Sequence, residues 1–131
     1  MTFNTYMNYA IEEAKRAFGR GEVPIGAVII DQFGTILSKE GNRTRELNDP
    51  TAHAEILAIR KACDELKNQR LTNCSMYVTL EPCPMCAAAI SNARISKLFF
   101  GVEDYKSGGC LLYTSDAADE GLGVDLGGRR I

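Results

Sequence analysis

The stretch that decides the fold reads Cys74-Ser75-Met76-Tyr77-Val78-Thr79-Leu80-Glu81-Pro82-Cys83-Pro84-Met85-Cys86-Ala87-Ala88-Ala89-Ile90, continued by Ser91-Asn92-Ala93-Arg94-Ile95-Ser96-Lys97-Leu98-Phe99-Phe100-Gly101. Residues 74–80 are rich in β-formers. Pro82 and Pro84 break that run, and a short alanine-rich helix follows to about Asn92. Residues 95–100 are again strand-like and stop at Gly101. A strand, a helix and a strand joined by short links imply two parallel strands connected by a right-handed crossover. The chain is therefore α/β.

Working outward, residues 5–18 read as an amphipathic helix, with Met7, Ala10, Ile11, Ala14 and Phe18 spaced three and four apart. Residues 23–30 are an apolar run interrupted only by Pro24 and Gly26, short enough for a strand buried on both faces. Residues 31–34 form a turn, and 35–39 the returning strand of a hairpin. Residues 41–49 are polar and read as a loop. Asp49-Pro50-Thr51 signals a helix start, and that helix runs to about Leu66 with Ile56, Ile59, Cys63 and Leu66 as its apolar stripe. The order α-β-β-α-β-α-β predicts a three-layer α/β/α sandwich with a mixed central sheet. Near the end, residues 111–113 could add one last strand. Residues 116–130 lack periodicity and are expected to fray.

A chain of 131 residues suits one domain. Its 45% apolar and 24% charged content excludes disordered and fibrous classes. Charges balance through residue 110. The net charge of −2 arises after it, where four acids outnumber two arginines, so bulk charge does not announce nucleic-acid binding. No apolar run is long enough to cross a membrane, and the first residues do not resemble a secretory signal. A cytoplasmic location without membrane association is the expectation. Five cysteines, an odd count, argue against a secreted disulfide framework.

The chemistry gathers at helix starts. His53, the one histidine, falls in the first turn of the second helix, and Cys83 and Cys86 fall at the start of the third. Cysteines three apart on a helix share a face, so both sulfurs can meet one ion. Zinc takes thiolate and imidazole in a tetrahedral site, and three protein ligands leave the open position typical of a catalytic zinc. A helix N-terminus favours the thiolate form. Glu55, two residues beyond His53, is placed to take a proton from water and hand it to a leaving group. A Cys-x-x-Cys pair alone could equally serve structural zinc or redox chemistry. His53-Ala54-Glu55 followed thirty positions later by Cys83-Pro84-Met85-Cys86 is far more specific.

His53-Ala54-Glu55 with Pro82-Cys83-Pro84-Met85-Cys86 resembles the zinc-dependent cytidine/deoxycytidylate deaminase family. Within that family, several further segments are similar to the bacterial tRNA-specific adenosine deaminases. They are Glu22-Val23-Pro24-Ile25-Gly26-Ala27-Val28, Asn42-Arg43, Asp49-Pro50-Thr51-Ala52, Tyr77-Val78-Thr79-Leu80-Glu81, Ala93-Arg94-Ile95, Phe100-Gly101, Asp104 and Lys106-Ser107-Gly108. The resemblance spans residues 5–109. It implies a cytidine deaminase-like fold and zinc-dependent deamination of adenosine to inosine at the wobble position of a tRNA anticodon stem-loop. His53, Cys83 and Cys86 would hold one zinc ion per chain, and Glu55 would shuttle protons. Asn42 would contact the nucleoside, Pro24, Ile25 and Ala54 would wall the base pocket, and Asp104 would lie near the RNA strand. A homodimer with RNA across both subunits is implied as well.

Plainer roles stay open for some of these residues. Asn42 could only shape its loop, Asp104 could cap a turn, and Pro24 and Ile25 could be core. Arg43, Arg45, Arg94 and Lys106 are candidates for phosphate contacts, or simply solvated charges. A deaminase of a free base or nucleoside, of guanine or cytosine type, shares the zinc signature. A non-catalytic zinc-binding subunit would share the ligands, though it would not need Glu55. The chain departs from the family after Gly108. The resemblance leads one to expect a further strand and a basic helix there, whereas residues 110–120 resemble translated adaptor sequence. The expected organisation is a deaminase domain at 1–110 and an atypical, non-native tail at 111–131, with poorer stability and RNA affinity as the consequence.

Overall fold

The computed structural model describes the backbone of residues 2–101 and 123–125 and the side chains of residues 5–101. Its elements are α1 (Thr2–Gly19), β1 (Gly26–Ile30), β2 (Ile36–Gly41), α2 (Ala54–Leu66), β3 (Ser75–Val78), α3 (Pro84–Asn92), β4 (Lys97–Phe100) and β5 (Gly123–Asp125). The strand order in the sheet is β2-β1-β3-β4-β5. β3 and β4 run parallel, from Ser75 opposite Lys97 to Val78 opposite Phe100. The other pairings are antiparallel. This is the mixed sheet expected from the α3 crossover.

Every residue of β1 is buried, and its alternation divides the core in two. Ala27 and Ile29 join Met76, Val78, Leu98 and Phe100 beneath α2 and α3. Val28 and Ile30 join Tyr77 beneath Met7 and Ala10 of α1. The three layers are thus α1, the sheet, and the α2–α3 pair. Among the described residues no helix is long and apolar enough to cross a membrane.

α2 turns a face of small residues to the sheet rather than the stripe of larger ones expected, whereas α1 buries Met7, Ala10 and Ala14 of its expected stripe but not Ile11 and Phe18. On α2 the buried positions are Ala54, Glu55, Ala58 and Ala62, while Leu66 is exposed. On α1, Met7, Ala10, Ala14 and Ala17 are buried, Glu13 among them, and Ile11 and Phe18 are exposed. On α1, close approach explains the choice of alanine. A Cβ on Gly26 would stand 2.0 Å from the Ala10 carbonyl oxygen and 2.6 Å from the Ala14 nitrogen, both main-chain atoms that cannot swing aside. Gly26→Ala is therefore expected to cost about 1–3 kcal/mol or more through overpacking. Urea titration of the variant checks this.

Other boundaries differ from the expected ones for identifiable reasons. β1 begins at Gly26 rather than residue 23, because Pro24 lacks a ladder donor and the Ile25 N–H turns back to the Val23 carbonyl at 2.8 Å. α2 begins at Ala54 rather than at Pro50. The Asp49 carboxylate accepts from the Thr51 N–H at 2.9 Å and its hydroxyl at 2.7 Å, which closes a separate turn ahead of the helix. His53 is consequently the residue that caps α2, not part of its first turn. α1 starts earlier than expected, and β2 extends to Gly41. Within the segment expected to fray, Gly123–Asp125 pairs with β4. The expected strand at 111–113 and the rest of the tail lie outside the described residues.

α2 ends on Lys67 in the left-handed conformation (φ 55°), with its N–H and that of Asn68 turned back to Asp64 and Cys63 carbonyls. Glycine suits this position better than any L-residue with a side chain. Lys67→Gly is expected to stabilise the fold by about 0.5–1 kcal/mol, read as a higher thermal midpoint.

Candidate metal centre and active site

Two helix starts converge on one point. The backbone of His53 is extended (φ −72°, ψ 155°) as it enters α2, and Cys83 (φ −70°, ψ 170°) enters α3 in the same way. Both occupy capping positions, where Ser, Thr, Asp or Asn is favoured. Neither makes a side-chain capping hydrogen bond. Their side chains face each other instead. His53 Nδ1 lies 3.8 Å from Cys83 Sγ and 3.5 Å from Cys86 Sγ. All three ligand atoms fall within 4.8 Å of one another. Tetrahedral bonds of about 2.0–2.3 Å give ligand-to-ligand edges of roughly 3.5 Å, so this triangle fits one zinc ion.

The sheet supplies the rigidity. The link from β3 to α3 leaves the carboxyl end of β3, where α/β sheets place their sites. Thr79 pins it, its N–H bonded to the Gly26 carbonyl at 3.1 Å and its Oγ1 accepting from the Gly26 N–H at 3.2 Å. Pro84 then sits in the first turn of α3, where its missing N–H costs nothing.

Glu55 lies in the first turn of α2 and is 3% exposed. Its Oε1 has no hydrogen-bond partner. Burial pushes its carboxyl up to about 6, partly offset by its own main-chain N–H and by Cys86. Burial also drives the Cys86 thiol far above its usual range, and the neighbouring Glu55 and Cys83 add to the shift. A carboxylate and two thiolates this close together would repel one another, so without a cation the Cys86 thiol is held protonated. A divalent cation resolves the conflict by pairing with the thiolates, and the orphaned carboxylate oxygen is what water or substrate at the ion would satisfy. The donor set thus fits zinc.

The remaining expected site residues are distributed unevenly. Ala54 is fully buried between His53 and Glu55. Ile25 is half-buried against the core that contains Ala54 and Ala87, and Pro24 is exposed. Asn42 is 3% exposed. Its N–H bonds to the Ile25 carbonyl at 3.1 Å, and its side-chain Nδ2 donates to Thr44 Oγ1 at 3.3 Å. The next residue ties this loop to the metal ligands, since the Arg43 N–H bonds to the carbonyl of Ala52, directly before His53, at 3.0 Å. Arg43 itself pairs with Glu46 at 2.6 Å. Arg45 and Arg94 are exposed. Of the alanines at 87–89, Ala87 is buried and Ala88 is exposed. Asp104 and Lys106 lie outside the described residues. Two further buried acids, Glu22 and Glu81, lie within segments that carry the resemblance but are given no role of their own by it. Glu81 stands directly before the Pro82-Cys83 motif. Glu22 heads the segment Glu22–Val28, an acid before an apolar run.

A three-layer sandwich with a His-Cys-Cys centre and a buried glutamate defines the class of zinc-dependent hydrolases with an open metal position. Residues 2–102 match the family model for the cytidine and deoxycytidylate deaminase zinc-binding region, and the chain belongs to that family. A tRNA-specific adenosine deaminase of Agrobacterium fabrum is 56% identical over 79% of this chain and 67% of its own length. That of Aquifex aeolicus is 52% identical over 79% of this chain and 68% of its own. A solved tRNA:A34 deaminase, studied for A-to-I editing at the wobble position of transfer RNA, superposes with a TM-score of 0.80 at 54% identity, covering 82% of this chain and 78% of that one. Guanine deaminase from Bacillus subtilis superposes with a TM-score of 0.74 at 39% identity, over 91% of this chain and 69% of that one.

Proposed function

We propose that this chain hydrolyses adenosine to inosine at the wobble position of a transfer RNA anticodon stem-loop. The observation that carries the reading is the triangle of His53, Cys83 and Cys86 with the buried Glu55 beside it. The A-to-I activity of the relatives narrows the substrate. One zinc ion, bound by the three ligands, would lower the pKa of a water molecule toward neutrality. Glu55 would take a proton from water held at this site and deliver it to ring N1 of the adenine. Addition of the water oxygen at C6 would leave a hydroxyl there, and Glu55 would pass that second proton to the 6-amino group, so that the C–N bond breaks and ammonia leaves as the C6 carbonyl forms. Water and adenosine go in, inosine and ammonia come out, and Glu55 ends as it began. A carboxyl raised toward 6 by burial is well matched to taking and giving a proton near neutral pH.

In this reading Asn42 hydrogen-bonds the nucleoside, Pro24, Ile25 and Ala54 wall the base, and Asp104 lies near the RNA strand. The deaminase domain is residues 1–110, with residues 111–131 as an atypical tail. The protein acts in the cytoplasm as a homodimer.

The likeness to guanine deaminase favours one second reading, turnover of a free purine base. The zinc-loaded protein, incubated with a stem-loop carrying a wobble adenosine and separately with guanine, cytidine and adenosine, decides between them. Inosine in the stem-loop is the expected product. Xanthine from guanine, with the stem-loop unchanged, establishes the second reading.

A further inference from the structure

We propose that Glu22 is a positioning residue for substrate binding, its carboxylate clamping the loop of residues 42–48, which Arg43 ties through its N–H to Ala52, directly before His53. The substrate part of this proposal rests on the deaminase reading above.

Glu22 lies on the short link between α1 and β1 and is 5% exposed. Its two oxygens each take one main-chain donor from the crest of the loop. Oε1 accepts from the Arg45 N–H at 3.2 Å and Oε2 from the Glu46 N–H at 2.8 Å. Burial alone would raise its pKa, but these two N–H groups and the charges of Arg20 and Arg45 leave it below the usual carboxylate range. Arg20, on the same link, grips the start of the loop, with Nη2 donating to the Asn42 carbonyl at 3.2 Å. A single turn of chain therefore holds both the start and the crest of the loop.

The loop needs such a hold. It contains neither helix nor strand, and its internal bonds are turn bonds such as Leu47 N–H to Arg43 and Asp49 N–H to Thr44. Asn48 adopts a left-handed conformation (φ 51°) within it. Its entry is anchored by Asn42 to Ile25 and by Arg43 to Ala52. Only a carboxylate can accept both crest donors at once. A glutamine offers one acceptor and turns an NH₂ group against the other N–H. Glu22 touches the loop and not the metal ligands, so its loss should alter how substrate is held more than how fast it reacts.

The test compares wild type, Glu22→Gln and Glu22→Asp as full-length, zinc-loaded proteins. It measures zinc per chain, amide hydrogen exchange at Arg45 and Glu46, and KM and kcat on the wobble-adenosine stem-loop. Glu22→Gln is expected to keep its zinc, to exchange both amides faster, and to raise KM about tenfold with kcat changed less than about threefold. Glu22→Asp, one methylene short, is expected to fall between, and it keeps the test alive if the glutamine variant folds poorly. Unchanged exchange overturns the clamp. Faster exchange with unchanged KM overturns its role in binding. Joint loss of zinc and kcat assigns Glu22 a purely structural role and overturns the proposal too. If wild type leaves the stem-loop unchanged, the deaminase reading fails instead, and the exchange measurement still decides whether the clamp exists.

Discussion

Replacing Glu55 by glutamine is expected to leave zinc bound at the wild-type level and to lower turnover by about 10²–10⁴-fold. Glutamine matches glutamate in shape and adds no charge, so the 3% exposed pocket need not repack. What it lacks is a proton it can give and take. The three ligands are untouched, and relief of the carboxylate's repulsion should favour the thiolates if anything. Zinc assayed by mass spectrometry of the metal, beside inosine formation, separates the two effects. Retained zinc with retained turnover would show that another group carries the protons, and the mechanism above would have to be abandoned.

Cys86→Ala is expected to act earlier, on the metal itself. Cys86 is fully buried and stands 3.5 Å from His53 Nδ1. Zinc held by four protein ligands is worth about 10–16 kcal/mol, so one thiolate accounts for roughly 3–4 kcal/mol and its loss should weaken binding by about 10²–10³-fold or more. Turnover should fall with zinc occupancy. Competition with a chromophoric chelator gives the affinity, and added zinc should restore little activity because the ligand geometry is gone. A chelator applied to the wild type makes the complementary case. There the thermal midpoint should drop and should recover when zinc returns, because the ion binds only the folded arrangement. A variant that held zinc as tightly as wild type would remove Cys86 from the ligand set.

The two variants also show why the centre is legible in the sequence. Ligand identity is a matter of side-chain type, and the link from Cys83 to Cys86 spans less than one helical turn, so local geometry alone aligns the sulfurs. The capping positions of His53 and Cys83 are less legible. The turn signal at Asp49-Pro50-Thr51 is strong, but whether it opens the helix or closes a turn ahead of it depends on the Asp49–Thr51 bonds. The buried helix faces escape the sequence for a different reason. Periodicity ranks large apolar residues first, whereas contact with the sheet selects alanines where backbones approach closely, as Gly26 beneath Ala10 shows. Asn42 stands out by its resemblance, yet its bond to Thr44 supports the plainer loop-shaping role as well. Glu22 falls in a segment that carries the resemblance, but its grip on main-chain N–H groups more than twenty residues away leaves no periodic trace.

By itself, the sequence determined the α/β class, the order of the elements through β4, the parallel crossover and the identity of the candidate metal-binding set. These follow from local pattern and side-chain chemistry, which neighbours along the chain largely decide. Tertiary structure alone decided which helix faces are buried, that β1 lies between β2 and β3, and that His53 meets two sulfurs thirty residues away. It also decided that Glu55 is dry enough to be raised toward 6. Burial and long-range contact depend on the whole packed assembly, and no window of sequence contains them.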